Sequence, residues 1–154
     1  MEEKKKRLQE NLQLLRSCAG WSADVLGEKI GVTRQMVSNL EGGRTMTQMQ
    51  FLAISQVIER EIIDSGEEQG MLATVYDALV LHPQHYQQEE VDAIVENARL
   101  LIPAVLKRPQ ERTKISVAWK AIVLSSTVIV GAALMHIFKS KEDSENEPQR
   151  EKRA

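Results

Sequence analysis

Aromatic residues and cysteine are scarce in this chain of 154 residues. Phe, Trp and Tyr together make up 4% of it, and runs in which Val, Ile or Thr alternate with polar residues are missing. Sandwiches and barrels are built from such runs. We therefore expect an all-α chain. The one cysteine, Cys18, excludes an intramolecular disulfide and a thiolate zinc cage, which is typical of a reducing compartment.

Groups that would support catalysis or cofactor binding are also missing. His82 and His85 are separated by a proline, and no third metal ligand is evident beside them. There is no nucleophile paired with a base, no phosphate-binding loop and no dinucleotide fingerprint. We expect no enzymatic activity, no metal and no cofactor.

The formal net charge of −2 alone marks neither a nucleic-acid-binding protein nor a membrane-surface protein. The charges are, however, segregated along the chain. Residues 61–96 contain nine carboxylates and no Lys or Arg, whereas residues 99–120 contain six basic residues and one Glu. The acidic segment would repel a polyanion, so we expect it to face away from one.

Residues 121–138 form an apolar run without a formal charge. With Val117, Ala118 and Trp119 the run reaches the roughly 20 residues that a helix needs to cross a bilayer. Trp119 and the lysines at both ends resemble the interfacial anchors of a single span. The run predicts a transmembrane helix, and the alternative is a soluble oligomerisation helix.

Three short helices are predicted near the N-terminus, and a glycine turn joins the second to the third. A first helix carries Leu8, Leu12 and Leu15 and ends at Gly20. The second helix begins after Ser22, a favourable N-cap, and runs to Ile30, where Gly31 ends it. Thr33 is suited to cap a third helix.

In the pair formed by the second and third helices, the apolar positions Leu26, Ile30, Val37 and Leu40 would face the core, and Gly27 allows close approach of the crossing helix. Polar residues fall on the outer face of the third helix, toward its N-terminus, the part that enters a major groove. Arg reads guanine, Gln reads adenine, and hydroxyls hold phosphates. The candidate DNA-binding residues on this face are Thr33, Arg34, Gln35, Ser38 and Asn39.

The run G-V-T-R-Q-M-V-S-N-L-E-G-G-R, residues 31–44, resembles the Cro/repressor-type (Xre-like) helix-turn-helix family. The resemblance covers residues 8–62 and implies that the third helix recognises DNA, that Arg44 approaches the DNA backbone, and that two copies bind as a homodimer. Two positions depart from the family pattern. Ala23 stands where a phosphate-contacting Gln is frequent, and Gly27 stands where Ala is usual.

Downstream, Thr47 is suited to cap a helix whose predicted core residues include Met49, Leu52, Ile54 and Ile58. A helical pair follows, from about residue 67 to 81 and from about residue 88 onward, and Pro103 should end or kink its second member. We expect this pair to pack on the first domain or on a second copy.

The predicted fold is a small helical bundle that contains a helix-turn-helix, followed by a helical pair and a single C-terminal transmembrane helix. The expected segments are a DNA-binding domain, an acidic helical pair, a basic juxtamembrane linker, the span and a polar tail. Their boundaries are residues 1–64, 65–108, 109–120, 121–138 and 139–154.

The function expected from this organisation is that of a membrane-anchored, sequence-specific regulator of transcription, with repression suggested by the family resemblance alone. Its partners would be double-stranded DNA, membrane lipid through residues 121–138, and a second copy. Its N-terminal domain would lie in the bacterial cytoplasm. The alternative is a protein-interaction module, since bacterial cell-shape proteins join a similar helix-turn-helix to one span and bind an actin-like filament.

Overall fold

The computed structural model describes residues 1–66, 70–108 and 112–124. Every regular element within these ranges is a helix, so the prediction of an all-α chain is confirmed. The α-helices are α1 (Glu2–Glu10), α2 (Leu12–Cys18), α3 (Ala23–Ile30), α4 (Arg34–Glu41), α5 (Gln48–Asp64), α6 (Met71–Tyr76), α7 (Gln88–Lys107) and α8 (Arg112–Leu124). A π-helical turn (Asp77–Leu81) and a 3₁₀ turn (Pro83–His85) connect α6 to α7.

Hydroxyl caps begin three of these helices, as the sequence predicted. The side chains of Ser22, Thr33 and Thr47 each accept a hydrogen bond from the backbone N–H three residues further on. Gly20 and Gly31 have φ angles of 75° and 73°, the left-handed conformation that glycine adopts at little cost. The predicted caps and helix ends are therefore confirmed at these positions.

The first predicted helix is in fact two helices, because the chain is not helical at Asn11. Its φ and ψ are −110° and 10°, and its side-chain amide donates to the carbonyl oxygen of Arg7 at 2.8 Å. The side chain thus competes with the regular helical bonds at this point. Leu8 on α1 and Leu12 on α2 are nevertheless both fully buried.

The core face of α5 differs from the predicted one. Phe51, Ile54 and Ile58 are buried, whereas Met49 and Leu52 are 75% and 50% exposed. The spacing of the three buried residues fixes the inward side of the helix, which places Met49 and Leu52 on the other side. The assignment of these two residues to the core was wrong.

The helices after α5 pack on the N-terminal helices of the same chain. Helix α2 contacts α6 and α7, and the π-helical turn contacts α1, where the Arg7 guanidinium donates to the carbonyl oxygen of Val80 at 3.1 and 3.3 Å. One hydrophobic core therefore includes residues from Leu8 to Trp119. Pro103 was expected either to end or to kink α7. The helix does not end there but continues to Lys107.

Helix α8 is joined to this core by Trp119, which is completely buried. Its indole N–H donates to the hydroxyl of Thr74 on α6 at 3.1 Å. The expectation that the Trp119 ring lies at a membrane interface is therefore wrong, and residues 112–120 of the expected linker are helical. Among the described residues no helix has the length and apolar character to cross a membrane. Residues 125–138, most of the predicted span, lie outside the described residues.

The close contact at Gly27 predicts that alanine at this position lowers the stability of the protein. A Cβ atom at this position would lie 2.6 Å from the carbonyl oxygen of Val32, a backbone atom that cannot move away alone. We expect Gly27→Ala to destabilise the protein by about 1–3 kcal/mol, although alanine is the better helix former. Urea denaturation followed by far-UV circular dichroism measures the change. The control Glu28→Ala, at an exposed neighbouring position, should stay within about 0.5 kcal/mol of the wild type. A higher free energy of unfolding for Gly27→Ala than for the wild type would contradict the close approach of the Val32 carbonyl to Gly27.

Candidate nucleic-acid interface

The pair α3 and α4 is held at a fixed angle by the turn at residues 31–33. The backbone N–H of Val32 donates to the carbonyl oxygen of Gly27 at 2.9 Å, while Gly31 takes the left-handed conformation. The backbone at the start of α4 therefore lies directly against Gly27, where a larger residue would collide with it. On the inner side, Leu26 of α3 and Val37 and Leu40 of α4 are buried in the common core.

The outer surface of α4 carries the side chains that the sequence singled out. Thr33, Arg34, Gln35 and Ser38 are exposed, and Asn39 is half-buried. The structure brings these five residues together over one helix of eight residues and its N-cap. Arg44 is exposed and follows on the loop after α4.

Several of these side chains have partners that DNA could replace. The Gln35 amide donates to the Asn39 side-chain oxygen at 3.0 Å, and the Arg34 guanidinium lies 3.8 Å from the Asp24 carboxylate. Arg34 and Asp24 are 71% and 60% exposed, and exposed ion pairs contribute little stability. The hydroxyl of Thr33 accepts the capping bond, so its own hydrogen is still available to a phosphate.

The single carboxylate of α4 is turned away from this surface. Glu41 pairs with Arg16 of α2 through two bonds, Nε to Oε1 at 2.6 Å and Nη2 to Oε2 at 3.2 Å. Both side chains are 13% exposed, and the guanidinium also donates to the carbonyl oxygen of Trp21 at 2.9 Å. The pair thereby ties α2, the start of α3 and the end of α4 together. It leaves no carboxylate of α4 itself on the outer surface, where Asp24 of α3 is the acidic neighbour of Arg34.

Gln9 of α1 fixes the loop that carries Arg44. Its amide N–H₂ donates to the carbonyl oxygens of Leu40 and Arg44 at 3.1 and 2.5 Å, and its oxygen accepts from the N–H of Met46 at 3.2 Å. No local sequence pattern indicates a role for Gln9 or a pairing between Arg16 and Glu41. Their partners lie 25 to 37 residues away along the chain, so no local spacing could have revealed them.

A second polar cluster surrounds Asp77 in the π-helical turn. His82 Nδ1 lies 2.6 Å from one carboxylate oxygen, and the Tyr86 hydroxyl donates to the other at 2.7 Å. Burial favours a higher pKa for Asp77, but the hydrogen bonds from His82 and Tyr86 and the charges of His82 and His85 lower this pKa overall. Burial and the bond to Asp77 raise the pKa of Tyr86 to about 12. Within the part of the chain that the structure describes, no three potential metal ligands are grouped.

No family model, curated protein or solved structure matches this chain. The outer surface of α4 therefore has to be judged on its own geometry and charge.

The Arg16 and Glu41 pair should be essential for the position of α4. We expect Glu41→Ala to cost about 3–5 kcal/mol, because it leaves a guanidinium buried without its counterion. The double variant Arg16→Met with Glu41→Leu should recover most of this loss, since it removes both charges. Urea denaturation measures each variant.

An exposed ion pair serves as the control for this experiment. Arg60 and Asp64 are bonded at 3.0 Å on the surface of α5, and Asp64→Ala should cost no more than about 1 kcal/mol. A loss for Glu41→Ala no larger than that of the control would contradict the assigned role.

Proposed function

We propose that this chain is a membrane-anchored, sequence-specific DNA-binding regulator of transcription, most simply a repressor, with α3 and α4 as its helix-turn-helix and α4 as its recognition helix. The observation that carries the proposal is the two-sided character of α4. Its inner side is buried at Val37 and Leu40, and its outer side presents Arg34, Gln35 and Ser38 to solvent with no carboxylate among them.

The exposed groups fit the chemistry of a DNA major groove. Arg34 can donate two hydrogen bonds to guanine, and Gln35 can pair with adenine while Asn39 holds its amide in place. Thr33, Ser38 and Arg44 are suited to phosphate oxygens, which fix the position of the helix but carry no sequence information. Binding would require Arg34 to exchange Asp24 for DNA, a modest cost for two exposed groups.

The distribution of acidic residues agrees with this orientation. Glu89, Glu90, Asp92 and Glu96 belong to α7, which packs mainly on α2, α6 and α8. The unit of α3 and α4 packs instead on α1, α2 and α5. Separation of these four carboxylates from the recognition helix lessens their repulsion of DNA phosphates, whereas Asp24 of α3 lies 3.8 Å from Arg34.

Membrane attachment rests on the sequence of residues 121–138. Because DNA is in the cytoplasm, the span would place the N-terminal domain on the cytoplasmic side of a bacterial membrane and the tail, residues 139–154, on the other side. A homodimer would bind two half-sites, since one helix-turn-helix makes few contacts alone.

Binding of the full chain, in detergent micelles, to fragments of bacterial genomic DNA tests the proposed DNA recognition. Arg34→Ala should weaken binding to a preferred fragment by about 10–100-fold, and Gln35→Ala should relax the preference at one base pair. Arg44→Ala should weaken binding to all fragments alike. It should also reduce the slope of the logarithm of the binding constant against the logarithm of the salt concentration by about one. These effects follow from base contacts in the first two cases and a phosphate contact in the third.

Arg60→Ala, which removes an equally exposed arginine from α5, is the matched control and should leave DNA binding unchanged. If the folded wild-type protein bound DNA only weakly and without preference, the DNA proposal would fail. The surface of α4 would then be better explained as a docking site for a protein partner.

Fractionation of cells that express the full chain tests the proposed span. The wild type should sediment with membranes and resist extraction by alkaline carbonate. Val128→Arg combined with Val130→Arg should release the protein, since each charge at the centre of a span costs about 2.5–3.5 kcal/mol or more. The control Ser140→Arg lies outside the apolar run and should stay membrane-bound. A wild-type chain that remained in the soluble fraction as an oligomer would favour a soluble helix instead.

A further inference from the structure

Helices α7 and α8 pack on each other and leave a groove of about 520 Å³ between them. Its wall is apolar at Leu101 and Ala104 of α7 and at Ile115 and Ala118 of α8. The two alanines occupy little space, which leaves room for another molecule. Ligand sites in proteins have volumes of roughly 300–1,000 Å³, so the groove is large enough to bind a small amphiphile.

Three basic residues line the same groove. Lys107 and Arg108 stand at the C-terminal end of α7, and Lys114 lies in the first turn of α8. Because only residues 108–111 connect the two helices, these three residues lie at the connected end of the groove. Leu101 and Ala118 lie farther along their helices, by about 9 Å from Lys107 and about 6 Å from Lys114. The groove is therefore basic at one end and apolar at the other.

The charge of the groove has one sign. Among the described residues that line it, none is acidic. Lys107 and Lys114 are exposed, and neither forms an ion pair within the described part of the chain. Residues 107–114 contain four basic residues and one Glu. The molecule that fits this groove best is therefore anionic at one end and apolar at the other.

The position of the groove along α8 indicates a membrane lipid. Residue 121, the first of the apolar run, follows Lys114 by seven residues, about 10 Å along the helix. The headgroup layer on each side of a bilayer is about 5–8 Å thick, and lysine side chains can extend to it. With the run in the bilayer, the basic end of the groove lies near the lipid phosphates and the apolar end lies toward the hydrocarbon.

We propose that the groove between α7 and α8 binds one anionic phospholipid, with its phosphate at Lys107, Arg108 and Lys114 and an acyl chain along Ala104 and Ala118. Basic side chains form charge-assisted hydrogen bonds with phosphate oxygens, and basic pockets beside membrane helices bind such headgroups. The inference rests on the proposed function only in taking residues 121–138 as the span that brings the groove to the bilayer. It adds a preference for anionic over zwitterionic lipid.

Native mass spectrometry of the full chain tests this preference, with the protein released from neutral detergent micelles that contain equal amounts of phosphatidylglycerol and phosphatidylcholine. The wild type should retain one phosphatidylglycerol. Lys107→Gln combined with Lys114→Gln should lower the ratio of phosphatidylglycerol to phosphatidylcholine adducts by about 25-fold, since each basic residue contributes about fivefold. The circular dichroism spectrum should stay unchanged, because both lysines are exposed.

Lys120 provides the matched control for charge, because it is exposed on α8 next to the apolar run but does not line the groove. Lys120→Gln should leave the ratio unchanged, whereas Lys114→Gln should lower it about fivefold. Ala104→Phe changes no charge but fills the apolar part of the groove, so it should remove the bound phosphatidylglycerol. Its control is Leu100→Phe, at a position of α7 that is exposed and off the groove.

Three outcomes would overturn the proposal. Equal retention of the two lipids by the wild type would exclude a site for an anionic headgroup, as would be the case if another part of the chain filled the groove. A loss with Lys120→Gln as large as with Lys114→Gln would indicate a diffuse attraction to lipid charge instead of a site. Displacement of the lipid by an excess of glycerol 3-phosphate would indicate a site for a free phosphate compound.

Failure of the proposed span would look different. If alkaline carbonate released the wild type from membranes while the chain in detergent still retained phosphatidylglycerol, the span would be wrong and the groove would stand. If the chain resisted extraction but the double lysine variant retained as much phosphatidylglycerol as the wild type, the groove would fall and the span would stand.

Discussion

The close contact between α3 and α4 is the constraint on which the rest of the candidate interface depends. Because Gly27 has no side chain, the backbone that begins α4 lies directly against α3. This contact sets the rotation of α4 about its own axis, so Val37 and Leu40 point inward and Arg34 and Gln35 outward. The glycine is a poor helix former, but its cost is offset by a packing distance that no other residue permits.

Two polar interactions hold the C-terminal end of α4 in place, as the contact at Gly27 does for its N-terminal end. The pair of Arg16 and Glu41 holds the far end of α4 and removes its carboxylate from the outer surface, and Gln9 secures the loop beyond it. Each uses a side chain from α1 or α2 to satisfy groups at the C-terminal end of α4. The geometry of the outer surface is thus determined by buried and half-buried residues that do not belong to it.

The local features of this fold could be predicted from the sequence, whereas the long-range ones could not. Ser22, Gly31, Thr33 and Thr47 act on residues two to four positions away, so their residue types alone indicated the helix boundaries. The inner face of α5 was misjudged because Met, Leu and Ile lie on both of its sides, and apolar character alone does not say which side is covered. The partners of Arg16 and Gln9 depend on how helices pack, which a single sequence does not specify.

Under the proposed function, the burial of Trp119 determines how closely the membrane span would hold the proposed DNA-binding domain to the bilayer. A flexible linker would let the domain search for DNA away from the bilayer, but α8 is bonded through Trp119 to Thr74 and packs on α6 and α7. The proposed span starts within α8, at residue 121, only two residues after the buried tryptophan. A domain attached so directly would remain next to the membrane surface, so the DNA would have to approach the membrane. The basic residues of 99–120 would then face anionic lipid at short range. Residues 139–153 carry as many basic side chains as residues 106–120, so the orientation follows from the requirement for cytoplasmic DNA and not from the charge of the flanks.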